Sequence, residues 1–180
     1  MSASGIEVLE TLRKNCDTFF NDFLLKHKNN MKCDKKCSMC CHTSFSVFEL
    51  EAVSILNWFH ALSVEEKLSL KEKLLQTKEE NISLRQNSGA GITSSQFPHA
   101  KVKCSFLHND LCSIYDARPI ICRTQGASLL TKETTKSGET LVQVDCCPLN
   151  FTEENTFPKQ SEALDLNRLN SLLSIAENFY

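Results

Sequence analysis

Residues 33–42 read Cys-Asp-Lys-Lys-Cys-Ser-Met-Cys-Cys-His, and the organisation of the whole chain turns on how this run is understood. Two readings bring Cys33, Cys37, Cys40 and Cys41 to one locus. In a loop, cysteines two to four residues apart turn onto one ion while neighbouring amides donate to sulfur. In an α-helix these positions are i, i+4, i+7 and i+8, a single stripe of sulfurs. Vicinal side chains on such a helix point about 100° apart, so Cys40 and Cys41 are then expected to serve different metals. A free cysteine ordinarily packs as a small hydrophobe. Asp34, Lys35 and Lys36 inside the run speak against an apolar face.

Working outward, a second group follows: Cys104-x7-Cys112-x9-Cys122, then the pair Cys146 and Cys147. Residues 104–115 are expected to form a short hairpin turning at 108–110, which brings Cys104 and Cys112 towards each other. A second hairpin is expected over residues 127–144, turning near 137–138, with Leu141, Val142 and Val144 as its β-formers. It returns Cys146 and Cys147 to the side of Cys122. Pro119 excludes helical geometry from Arg118, so Arg118-Pro119 is a fixed turn ahead of Cys122 and Arg123. Four thiolates on one zinc ion or on a 4Fe–4S core leave negative charge to be offset. Arg118 and Arg123, always charged and rich in donors, are the residues placed to do so, against the ordinary role of arginine in solvating a surface. His42, directly after Cys41, is a candidate to ligate or to donate to sulfur. His99 and His108 are lesser candidates near the second group, since single histidines are mostly partly exposed polar residues.

The remainder is mainly helical. Residues 5–28 carry Ile6, Leu9, Leu12, Phe19, Phe20, Phe23 and Leu24 near helical spacing. A helix over 48–62 places Leu50, Val53, Leu56 and Phe59 on one side. Ser63 with Glu66 forms a capping box that opens a third helix to about residue 85, whose many charges face water. Residues 86–96, with Gly89 and Gly91, read as a mobile loop. A last amphipathic helix spans 161–179 with Leu164, Leu166, Leu169, Leu172, Leu173 and Ala176. The expected fold is mainly α with small β-hairpins (α+β): one domain over residues 1–180, a cysteine-cluster metal-binding core at 33–147, and amphipathic helices at both ends.

Composition bounds the rest. At 180 residues the chain can bury roughly 70% of its unfolded surface, so metal is not needed merely to fold. A net charge of −2 argues against a nucleic-acid or anionic-membrane surface, and no apolar run is long enough to span a bilayer. The first ten residues lack a signal-peptide pattern, so the expected compartment is the reducing cytoplasm. There ten cysteines point to metal or redox chemistry rather than disulfides. There is no glycine-rich nucleotide loop, no HExxH and no Ser–His–Asp order.

Taken together, Cys37-x2-Cys40-Cys41, Glu51, Cys104-Ser-Phe-Leu, Cys112-Ser-Ile-Tyr, Arg118-Pro119 and Cys122-Arg123 resemble the YkgJ-like cysteine-cluster family, a zinc- or iron-chelating domain, over about residues 33–147. The resemblance implies eight ligands: Cys33, Cys37, Cys40, Cys41, Cys104, Cys112, Cys122 and one of Cys146 or Cys147. Cys16 lies outside the pattern and is expected to be a buried thiol. The first two cysteines are spaced by three residues where the family usually has two, and Met39 stands where it has glycine. Glu51 matches a family glutamate, although a helix-surface carboxylate is the simpler reading. Family members include flagellin lysine methylases, which implies a 4Fe–4S cluster. The metal site carries over and the methylase activity does not. The expected function is an iron–sulfur protein, with a structural zinc adaptor holding closed four-cysteine sites as the alternative, and a protein partner is left open.

Overall fold

A computed structural model describes residues 4–34, 36–43, 45–87, 102–153 and 155–180, and for 85–87 the helical backbone alone. Of the described residues 53% are helical and 11% lie in strands, a mixed α+β fold with sheets of two and three strands among them, as expected. It gathers into two compact units, residues 1–34, 47–54 and 118–180 forming the first and residues 35–46 and 55–117 the second.

In the first unit, helix α1 (Gly5–Lys26) opens on a capping box. Ser4 Oγ accepts from Glu7 N at 3.3 Å while the Glu7 carboxylate accepts from Ser4 N at 2.8 Å, satisfying two end donors at once. The stripe Leu9, Leu12 and Cys16 packs on Leu50 of α2 (Glu49–Ala61), Ile120 of α4 (Ile120–Thr124), and Leu169, Leu173 and Ala176 of α5 (Leu166–Glu177). A second apolar cluster joins Phe23, Met31, Ala127 and Phe151, with Cys33 and Cys146 packed against it. The expected hairpin is present as β3 (Leu129–Thr134) and β4 (Thr140–Asp145), paired from Leu129↔Asp145 to Thr134↔Thr140. The final helix starts later than residue 161. Asp165 caps it by accepting from Arg168 N at 2.9 Å, and an N-cap must be extended, so Leu164–Asp165 become a strand, β5, parallel to β3.

Cys16 is buried in the first cluster. Burial and Asp17 push its thiol up, Arg123 opposes them and Glu51 adds to them, to about 11 from an ordinary 9.0. Below pH 9 both folded and unfolded thiols keep their proton. Between 9 and 11 only the unfolded thiol ionises, so stability drains away as pH rises. The unfolding free energy from urea titration is therefore expected to fall more steeply over that range in the unaltered protein than in Cys16→Ala, by about 2 kcal/mol in total. Parallel titrations of the two proteins would refute this.

In the second unit, α3 (Val64–Asn87) begins at the expected capping box, with Ser63 N donating to Glu66 at 2.8 Å and Glu66 N to Ser63 Oγ at 3.1 Å. Leu70 packs with Ile114 and Ala117, ringed by Trp58, Phe59, Phe106 and Cys112 among others. The expected small hairpin is β1 (Leu107–His108) with β2 (Leu111–Cys112). Its two turn residues, Asn109 and Asp110, take φ values of 50° and 59°, the left-handed pair that a two-residue hairpin turn requires and that Asn and Asp tolerate. Helix α3 holds the hairpin: buried Thr77 donates from Oγ1 to Leu107 O at 3.0 Å. Asn81 exchanges two 2.9 Å bonds with the Lys103 backbone. Of the loop expected at 86–96, Gln86 and Asn87 instead complete α3, and residues 88–96 lie outside the described residues. No helix among the described residues is long and apolar enough to cross a membrane.

Candidate metal centre

Among the described residues of 33–42 the regular structure is a 3-10 turn, Met39–His42, and not an α-helical stripe. Lys36 explains the difference: its φ of 76° is left-handed, and no α-helix propagates through such a residue. The loop also divides, with Cys33 in the first unit and Cys37, Cys40 and Cys41 in the second.

Two contacts fasten the second-unit part of the loop to the small hairpin. Ser38 Oγ donates to Asp110 Oδ1 at 2.9 Å, and Cys41 O accepts from Cys104 N at 2.7 Å. Their result is a gathering of thiols. The Cys41 side chain is hydrogen-bonded to that of Cys40 and lies within electrostatic reach of Cys104 and Cys112. The Cys40 hydrogen bond, then burial, then the proximity of Cys40, Cys104 and Cys112 hold the Cys41 thiol far above the usual thiol range. This corrects the expectation that the vicinal pair diverges: on the 3-10 turn the two side chains meet. Cys37 is exposed in the same loop.

The donor set fits a thiophilic metal. A cation reverses the repulsion that keeps crowded thiols protonated, because metal coordination deprotonates the thiol outright. His42 Nδ1 is buried with no hydrogen-bond partner among the described residues, a further donor left over immediately after Cys41. As placed, no three His, Cys, Asp or Glu side chains among the described residues already form an ion-holding set.

The first unit holds Cys33, Cys122, Cys146 and Cys147. Cys33 and Cys146 pack on one apolar cluster. Burial, with Asp145 and Cys147 beside it, raises the Cys146 thiol. Asn150 Nδ2 donates to Cys33 Sγ at 3.4 Å, and Gly126, at φ 99°, sits directly behind that sulfur. Cys122 lies on α4, its N bonded to Pro119 O at 3.0 Å.

Arg123, beside Cys122, donates from Nη1 to Asp17 at 2.7 Å and from Nε to Arg118 O at 3.0 Å, and its charge lowers the Cys16 thiol. Glu51 is no surface carboxylate. It is 2% exposed and accepts from Phe48 N at 3.1 Å and Ile120 N at 2.7 Å. His108 lies on β1 with its ring beside Asn109, and His99 lies outside the described residues. Sequence reasoning missed Asn150 and Gly126. The Gly four residues after Cys122 and the Asn three after Cys147 were visible, but neither spacing is a ligand spacing.

Two groups of thiols on a small α+β scaffold define a metal-chelating cysteine domain. The chain belongs to the CxxCxxCC family, described as "Putative zinc- or iron-chelating domain", whose profile covers residues 32–148. Neither the comparison with curated proteins nor that with solved structures gave a match.

Proposed function

We propose that the protein is an iron–sulfur protein whose 4Fe–4S cluster is held by Cys40, Cys41, Cys104 and Cys112. The observation that carries this reading is the meeting of the vicinal Cys40 and Cys41 thiols in the presence of Cys104 and Cys112. Adjacent residues bind one small ion only through a tight ring, whereas a polynuclear core offers each sulfur its own iron. Such a cluster, when bound, supplies one-electron redox chemistry. The chain's contribution is to gather the sulfurs, exclude water through the apolar Trp58, Phe59 and Phe106 side of Cys112, and keep His42 and Cys37 at hand as further donors. Cys33, Cys122, Cys146 and Cys147 form a second thiolate group, with Arg118 and Arg123 offsetting its charge. Thiols in this number belong in a reducing compartment, the cytoplasm. The division of the cysteines between two units, five in each with Cys16 buried in the core of the first, supports a second reading, two closed zinc sites in a structural adaptor.

Analysis of protein purified without oxygen separates the two. The iron–sulfur reading expects a brown protein with about four irons and four acid-labile sulfides for one cluster. A colourless protein with about two zinc ions and no sulfide would replace it with the adaptor reading.

A further inference from the structure

We infer that Asn150 is a positioning residue for metal binding, holding the Cys33 sulfur as a ligand within the thiol group of the first unit. This rests on the reading above that the clustered thiols hold metal. Asn150 lies beyond residues 32–148, outside the family pattern. It is 3% exposed, and both its amide nitrogen and its amide oxygen are engaged. Oδ1 accepts from Lys32 N at 2.7 Å, and Nδ2 donates to Gly126 O at 2.7 Å and to Cys33 Sγ at 3.4 Å. Its backbone N donates to Cys147 O at 2.9 Å. One residue thus ties together the segment carrying Cys33, the Gly126 turn and the turn after Cys147.

The bond to sulfur matters beyond tethering. An amide N–H to sulfur strengthens when the acceptor is a thiolate, and donors of this kind orient a ligand and tune it. Gly126 leaves the room. A side chain there would overlap Cys33 Sγ, and its φ of 99° is one that residues with a Cβ rarely adopt. A cleft of about 530 Å³ lined by Leu24, Leu25, Lys28, Met31, Lys32 and Asp34 is bordered by Cys33 as well.

The test is residue-resolved alkylation of the full-length, reduced, metal-free protein across a zinc titration, read by mass spectrometry. Zinc is the probe, and the unaltered chain is compared with Asn150→Asp. The aspartate still accepts from Lys32 N but donates nothing to sulfur and repels a thiolate. The expected result is zinc protection of Cys33 in the unaltered chain. In Asn150→Asp the zinc needed to protect Cys33 rises 10- to 100-fold, while protection of Cys40, Cys41, Cys104 and Cys112 and the far-UV circular dichroism stay unchanged. A purely structural Asn150 would not produce this selective change. Equal protection of Cys33 in both proteins overturns the inference, as does a Cys33 never protected while the second-unit thiols are. Protection at no cysteine overturns the metal reading itself, and this inference with it. Should Asn150→Asp fail to fold, Asn150→Ala, which removes the donor to sulfur without adding charge, takes its place in the same readout with the same expected and overturning results.

Discussion

Replacing Cys41 with serine is expected to weaken metal binding by about 100-fold. Structural thiolate sites contribute about 10–16 kcal/mol of binding, so one ligand in four is worth roughly 3 kcal/mol, and each 1.4 kcal/mol is a factor of ten. Cys41 is hydrogen-bonded to Cys40 and lies within electrostatic reach of Cys104 and Cys112. Its carbonyl also anchors Cys104 N, but serine keeps that backbone contact, so the loss isolates the sulfur. Cys104→Ser and Cys112→Ser should match it, and Cys16→Ser, whose thiol is buried in the α1 core, should keep its metal. Competition against a chromophoric chelator measures the change. Retention of metal by Cys41→Ser within threefold of the unaltered protein would remove Cys41 from the centre.

The second large effect is expected at Glu51→Leu, a loss of roughly 3 kcal/mol in unfolding free energy. Helix α4 opens at Pro119, which makes no side-chain cap bond. Glu51, reaching from α2, supplies the missing acceptor to Ile120 N while also serving Phe48 N. Leucine fits the buried volume but strands both donors, at about 1–3 kcal/mol each. Glu51→Gln keeps an acceptor oxygen and should lose less. Urea unfolding gives the comparison, and a leucine variant within about 0.5 kcal/mol of the unaltered protein would show that water or rearrangement satisfies the two amides.

The contrast between these sites shows what was legible in the sequence. Helices α1 and α3 were readable because their signals are local: apolar periodicity marks α1, and Ser63 finds a glutamate three residues on at the start of α3. Both hairpins were readable from their turns. The convergence of Cys40 with Cys41 was not, because it depends on one left-handed residue, Lys36, that breaks the α-helical geometry on which divergence was argued. Glu51 looked like a surface carboxylate because its partner, the uncapped start of α4, lies 69 positions away. Asn150 was hidden for the same reason, its sulfur partner being 117 positions distant. Strand β5 was absorbed into the final helix because Leu164 continues its apolar spacing, and only the Asp165 cap divides the two.

The bond from Cys104 N to Cys41 O sets a timetable for synthesis. The loop bearing Cys40 and Cys41 leaves the ribosome well before the hairpin bearing Cys104 and Cys112, and at about 5–20 residues per second the interval is roughly 3–12 s. During it the residues of α3 are also synthesised, among them Thr77 and Asn81, which hold the hairpin in the folded protein. On the proposed reading, the nascent chain therefore carries half a centre, two adjacent thiols open to oxidants and to misplaced metal, until its own translation supplies the other half. Slowing elongation between codons 42 and 104 would lengthen that exposure without changing a single amino acid.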